Sequence, residues 1–168
     1  MKDDMHAIFA FNAWANARTL EAAGKLTPEQ YIAEPTPGWT SVRATLVHVA
    51  DATLIWAKRL RGVKVAARAA EADFPTLEDA TRLFHKGQTS FVLLLPTFTP
   101  RQLASIWRYR NLEGKEYAAP LWSVLRHVVN HASYHRGQVA SKLARFGVEP
   151  PSTDLIGWAV ETTDTEGG

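Results

Sequence analysis

His131 and His135 stand four residues apart inside a long apolar-periodic segment that runs from about Leu121 to Phe146. Four residues is slightly more than one helical turn, so both imidazoles project from one face, the spacing by which a helix offers two nitrogens to one metal ion. His48 lies far earlier, inside the apolar run Leu46-Val47-His48-Val49-Ala50. An imidazole on an apolar helix face costs free energy unless something satisfies its nitrogens. If the helix that carries His48 neighbours the helix that carries the pair, the chain holds a three-nitrogen metal site.

Spacing alone leaves the choice of ligands open. His127, His131 and His135 form an i, i+4, i+8 stripe, and each step turns the face by about 40°. Only two members can comfortably face one ion, so His127 with His131 and His131 with His135 are both allowed. The residues between the last pair are Ala132, Ser133 and Tyr134. This is therefore not the H-E-x-x-H of a zinc peptidase, which supplies its own general base. His6 and His85 have polar or charged neighbours and are expected to be exposed.

The elements that must position these groups read as helices. The chain has 168 residues, the length of one domain with a substantial core. A first helix spans about Asp3 to Ala23 and ends before Gly24. Thr27-Pro28-Glu29-Gln30 is a cap, a proline at the first helical position and a glutamine at the third, opening a short turn that Pro35, Pro37 and Gly38 break. The second long helix starts at Thr40 or Ser41 and runs to Leu60, with Gly62 ending it. Val63 to Pro75 has no clear period and reads as a loop. A third helix covers Leu77 to Leu95, and Thr99-Pro100-Arg101-Gln102 repeats the cap pattern. Ile106 to Tyr109 and Glu116-Tyr117 flank the turn signal Asn111-Leu112-Glu113-Gly114, which predicts a small β-hairpin before the last long helix. That helix runs from near Pro120 to Gly147. The expected organisation is a single all-α domain over residues 1–161, a four-helix bundle with the hairpin inserted, followed by a disordered polar tail at 162–168.

Composition narrows the function. Cysteine is absent, which excludes disulfides, thiolate ligands and a cysteine nucleophile, so any metal is held by nitrogen and oxygen. The net charge of +2 is spread over interspersed lysines, arginines and carboxylates, apart from the small cluster Lys58, Arg59, Arg61, Lys64. That cluster suits a solvated helix end, and no nucleic-acid partner is expected. No apolar run is long enough for a membrane span, and no signal peptide is legible, so the expected location is cytoplasmic and no membrane partner is expected.

The stretch Leu125-Arg126-His127-Val128-Val129-Asn130-His131-Ala132-Ser133-Tyr134-His135-Arg136-Gly137-Gln138-Val139 resembles the N-H-x3-H-R-G-Q signature in the last helix of the DinB/YfiT-like metalloenzymes. Thr45-Leu46-Val47-His48-Val49 is similar to the T-L-x-H-[IV] of their second helix. Trp14 with Asn16, Gly147 followed by Pro150-Pro151, and Asp154 extend the match over nearly the whole chain in order. The resemblance implies an up-down-down-up four-helix bundle, usually a homodimer, with a divalent metal bound by three histidines. Carried over by motif position, these are His48, His131 and His135. His127 matches a common histidine of the family that is not itself a ligand. Some relatives carry an acidic residue about one turn after the first histidine, where Thr53 stands here; Asp51 is close but at a different angle and is assigned no acid–base role.

Three imidazoles leave at least one coordination position open, the arrangement of a catalytic site. Zinc or nickel is the first expectation, with iron, cobalt or manganese as alternatives, since nitrogen ligation does not decide among them. Such an ion polarises a carbonyl or lowers the pKa of a bound water or thiol. The expected function is a metal-dependent enzyme, a hydrolase or a low-molecular-weight thiol S-transferase acting on a small-molecule substrate. Some relatives use thiols such as bacillithiol or mycothiol. The alternatives are a non-catalytic metal-binding or stress-response, DNA-damage-inducible dimeric module, and a dimeric scaffold without metal. Around the triad, Arg136 is expected to pair with a Glu or Asp of a neighbouring helix. Gln138 lies near the face of His135, Asn130 could anchor a loop or an imidazole, and Asp51 or a backbone carbonyl could accept a ligand's second N–H. Trp39, Trp107 and Trp122 are expected to pack.

Overall fold

Side-chain caps set where the helices begin. Thr27, Thr76 and Thr99 each accept from the backbone N–H three residues on, while Gln30, Asp79 and Gln102 return a bond to the cap N–H. These reciprocal bonds satisfy donors that a helix N-terminus otherwise leaves orphaned. In the computed structural model, which describes residues 2–35 and 40–166, with side chains described through 163, the order is α1 (Lys2–Ala23), α2 (Pro28–Ile32), α3 (Val42–Leu60), α4 (Leu77–Leu94), α5 (Pro100–Ala104), β1 (Ile106–Arg110), β2 (Glu116–Pro120), α6 (Leu121–Arg145) and α7 (Leu155–Glu166). The predicted break at Pro37 and Gly38, and Trp39, lie outside the described residues.

The protein is all-α apart from one antiparallel hairpin, in which Trp107 faces Ala119 and Tyr109 faces Tyr117. Asn111 Oδ1 accepts the N–H groups of Glu113 and Lys115 and closes its turn, and Gly114 takes a φ of +82° there. A left-handed φ is a conformation glycine adopts without a Cβ penalty. The loop read from Val63 to Pro75 is irregular except for one 3₁₀ turn at Glu71–Asp73.

Two corrections concern the C-terminus. Residues 155 onward form a helix that the sequence reading did not anticipate, and it continues through 162–166, where a disordered tail was expected. Tertiary contacts hold α7 in place. Trp158 packs edge-on against Phe11 at 6.1 Å, and Glu161 accepts from Trp14 Nε1 and Arg18 at 3.0 Å each.

The four long helices close a ring: α3 lies against α4 and α6, and α1 against α6 and α4. One apolar cluster joins Val42, Leu46, Val49, Leu83, Val139 and Leu143; a second joins Met5, Phe91, Leu103, Leu121, Leu125 and Val128. Lys142 ties α6 to the start of α3. It is buried, and its ammonium donates to Thr40 Oγ1 at 2.9 Å, to the Ser41 carbonyl at 3.3 Å and to Thr45 Oγ1. Lys142 follows His135 in α6, whereas Thr45 precedes His48 in α3. The two helices therefore run antiparallel, and this lock sets the register in which their histidines meet.

Candidate metal centre

The ring of helices brings one imidazole from α3 to two from α6. His48 Nε2 lies 3.2 Å from His131 Nε2, and His135 Nε2 lies 3.2 Å from the same atom. The three groups offer ligand atoms that all lie within 4.8 Å of one another. The fit to a cation follows from bond lengths. Nitrogens about 2.0–2.1 Å from zinc, at angles between octahedral and tetrahedral, are separated by about 2.9–3.4 Å. The observed 3.2 Å falls within that window.

Protonation agrees with the distances. Burial, then the neighbouring charges of His135 and Arg68, pushes the His48 imidazole down to about 4. Burial, followed by the charges of His135, His48, His127 and Arg68, does the same for His131, also to about 4. Both rings are therefore neutral near pH 7, the form that ligates a metal. His135 Nδ1 lies 2.7 Å from Gln138 Oε1. The carbonyl oxygen accepts, so Nδ1 carries the proton and the Nε2 lone pair points into the triad. This is the outer-shell bond that orients metal-binding histidines.

Several other residues singled out from sequence sit elsewhere than expected. Asp51 does not orient an imidazole. It is buried, its carboxylate accepts the Ala69 N–H, and burial raises its pKa against the lowering effects of that bond and of the Arg68 and Lys58 charges. Among the described residues Arg136 has no carboxylate partner, contrary to expectation. The residue is 5% exposed, and its guanidinium donates to Asn12 Oδ1 at 2.7 Å, Asn16 Oδ1 at 2.8 Å and Ser133 Oγ at 2.6 Å, locking α6 to α1. Burial pulls its pKa down to about 10, and among the described residues its Nε has no hydrogen-bond partner. Asn130 is exposed, and Thr53 donates to the Val49 carbonyl. The Asp154 carbonyl accepts the Trp158 N–H at the start of α7.

His127 lies next to the triad, 5.7 Å from the His131 ring, and meets Trp56 edge-on at 5.4 Å. Trp56 in turn meets Tyr109 at 5.0 Å, and Tyr109 stacks on Trp107 at 5.2 Å. A wall of rings thus runs from the triad to the hairpin, so Trp107 belongs to this wall as well as to the packing. Trp122 is 40% exposed under Arg126. His85 is exposed as expected, whereas His6 is half-buried. Both border a separate, largely apolar cavity of about 530 Å3 between α1 and α4.

Sequence reasoning missed Arg68, whose guanidinium nitrogen lies 3.4 Å from His48 Nδ1, and Lys142. Arg68 sits in an aperiodic segment that gives no positional signal. Lys142 stood on the buried stripe of α6, where its charge argued for exposure.

The comparisons with known proteins concern family and fold. A model of the DinB family matches residues 1–165. The protein named Protein DinB from Bacillus subtilis (strain 168) is 25% identical over 161 residues, covering 92% of each chain. A crystal structure of a DinB-like protein from Bacillus cereus aligns with a TM-score of 0.62 at 21% identity, over 82% of this chain and 89% of that one. A DinB-like protein from Bacillus subtilis aligns at 0.63 and 16% identity, over 88% and 97%. A conserved protein from Enterococcus faecalis aligns at 0.65 and 12% identity, over 82% and 94%. With its match extending from the first residue almost to the last, this chain belongs to the DinB family.

Proposed function

We propose that this protein is a metal-dependent enzyme in which His48, His131 and His135 hold one divalent cation, zinc or nickel, with a coordination position open to a small-molecule substrate. The observation that carries the reading is the convergence of three imidazole nitrogens at ligand spacing from two antiparallel helices. A cation bound there would supply a Lewis acid that lowers the pKa of a water or thiol, or polarises a carbonyl. The chain's own residues do the rest. Burial keeps the His48 and His131 rings neutral, Gln138 fixes the tautomer of His135, and His127 and Trp56 wall one side.

Transfer of a low-molecular-weight thiol is favoured over hydrolysis. Hydrolysis leans on a positioned general base. Among the described residues no carboxylate joins the histidine cluster, and the Asp51 carboxylate is already engaged by the Ala69 N–H. An up-down-down-up bundle, a homodimer and a cytoplasmic location belong to the same reading. No helix among the described residues is long and apolar enough to cross a membrane.

The test is a zinc titration of wild type and His131→Ala, followed by incubation of the loaded protein with paired panels of thiols with electrophiles and of hydrolysable esters and amides. One ion per chain in wild type, none in the variant, and thiol-dependent turnover are expected. An ion without turnover on either panel would leave a metal-binding module in place of an enzyme.

A further inference from the structure

We propose that the cavity between α1 and α4 is a second binding site, and that it takes a small carboxylic acid with an apolar body, the carboxylate seated on the side-chain amides of Asn12 and Asn16. The inference is independent of the triad, because no triad histidine lines this cavity.

Small side chains between two end contacts leave the space. Helices α1 and α4 run antiparallel: Lys2 Nζ donates to the Pro96 carbonyl at 3.0 Å at one end, and Leu77 reaches Gly24 at the other. Between these contacts α1 turns Ala10, Ala13 and Ala17 toward the gap, and methyl groups do not span it. The volume of about 530 Å3 lies within the range of about 300–1,000 Å3 usual for small-molecule sites. Thr53 of α3 also lines it, so the opening reaches past the two outer helices into the bundle.

The lining divides into an apolar and a polar part. Phe9 and Phe91 hold their rings 4.5 Å apart, and Leu95 stands on the same wall. Asn12 and Asn16 follow about one and two helical turns after Phe9.

The two amides are fixed in orientation, and their donors are unused. Both oxygens accept from a single Arg136 nitrogen, at 2.7 and 2.8 Å. A guanidinium only donates, so the oxygen of each amide faces it and the NH2 group turns away. Among the described residues neither NH2 group has an acceptor. Neither is sealed off, because Arg136 Nε is the one buried side-chain nitrogen left without a partner among them. The amide nitrogens therefore touch accessible space, and the space that both residues line is the cavity.

Charge selects the ligand. With a pKa of about 10, Arg136 is protonated near pH 7, and its three partners are neutral. A buried charge without a counter-ion is costly. None of the residues lining the cavity is acidic. A carboxylate brings two oxygens for two NH2 donors that are held side by side, and its charge offsets that of the guanidinium behind them. The apolar body of the acid then lies along Phe9, Phe91 and Leu95. A cation in the same place would be repelled.

The test uses probes of one shape and opposite charge. Calorimetric titrations compare phenylbutyrate with phenylbutylamine on zinc-loaded wild type, on His131→Ala, on Asn16→Asp and on Ala17→Phe. Asn16→Asp keeps an oxygen on Arg136 but replaces the NH2 donor with a negative charge. Ala17→Phe fills the cavity from its exposed rim and leaves Arg136 its partners. Wild type is expected to bind the acid at least about tenfold more tightly than the amine, as charge-assisted hydrogen bonds imply. His131→Ala should keep that preference, Asn16→Asp should lose or reverse it, and Ala17→Phe should weaken acid binding. The proposal is overturned if wild type shows no preference for the acid, or if a folded Asn16→Asp retains it. Should Asn16→Asp fail to fold, undiminished acid binding by Ala17→Phe overturns it. Loss of acid binding in His131→Ala would assign the acid to a metal at the triad and overturn it as well. No acid uptake by wild type, together with a dimer that Val92→Asp dissociates in sedimentation, would give the cavity to a second copy of the chain. If wild type takes up no zinc, the metalloenzyme reading fails, while the acid preference still decides this one.

Discussion

Gln138 decides which nitrogen of His135 faces the triad. Its carbonyl oxygen accepts from Nδ1 at 2.7 Å, and removing such an outer-shell partner costs about 10–100-fold in metal affinity. Gln138→Ala should lose zinc affinity in that range in a competitive chelator titration, with its far-ultraviolet circular dichroism unchanged. The depressed histidine pKa values carry a second consequence. His48 and His131 fall from 6.5 to about 4 on folding, so the unfolded chain binds more protons between those values. Their contribution is present above pH about 6.5 and is lost as pH falls toward about 4. Urea midpoints of the metal-free protein should therefore drop between pH 7 and pH 5, and drop less in His131→Ala. Equal drops would show that these rings are not buried as neutral species. At this scale the shared face of His131 and His135 was legible, because a helix fixes where residues i and i+4 point, whereas the choice of that pair over His127 and its grouping with His48 came through the family resemblance. Arg68 was not, because a loop residue is positioned by the groups that hold its segment, Asp51 on Ala69 and Arg43 on Glu71, and these partners lie far from it in the sequence.

Helix α6 is held from two sides, and the holds are polar. Arg136 fastens it to α1 through two asparagine oxygens, and Lys142 fastens it to the start of α3. An arginine one residue after His135 invites the expectation of a salt bridge. The chain meets that charge with amide oxygens instead, and the signal was present in Asn16, which belongs to the first-helix match. Hydrogen bonds to charged groups contribute about 1.5–3 kcal/mol. Asn12→Leu should cost that much in urea unfolding, because the buried guanidinium loses one of its three acceptors and keeps only Asn16 and Ser133. Arg136→Met should cost less, since it removes the buried charge itself. The reverse order would contradict this account of the contact. The capping boxes at Thr27 and Thr99 were readable from their Pro and Gln neighbours. Helix α7 was not, because a 12-residue helix is marginal in isolation and this one is held by Trp158 on Phe11 and by Glu161 on Trp14 and Arg18.

For the molecule as a whole, the hairpin meets the later part of α3 at Trp56, while the 63–75 segment passes His48 and reaches the start of α3 at Arg43. The all-α class and the inserted hairpin followed from periodicity and turn residues, which act locally. Which helices neighbour each other did not follow from periodicity; it entered through the family resemblance. A ligand that binds only the folded chain stabilises it by about 2.7 kcal/mol at a hundred times its dissociation constant. Zinc should therefore raise the unfolding midpoint of wild type in a concentration-dependent way and leave His48→Ala unmoved.

Anomalous diffraction from zinc-loaded crystals tests the central claim most directly. The account predicts one strong peak per chain, about 2.0–2.1 Å from the Nε2 atoms of His48, His131 and His135. A zinc peak at any other residues, or none between α3 and α6 in crystals that contain zinc, would contradict it.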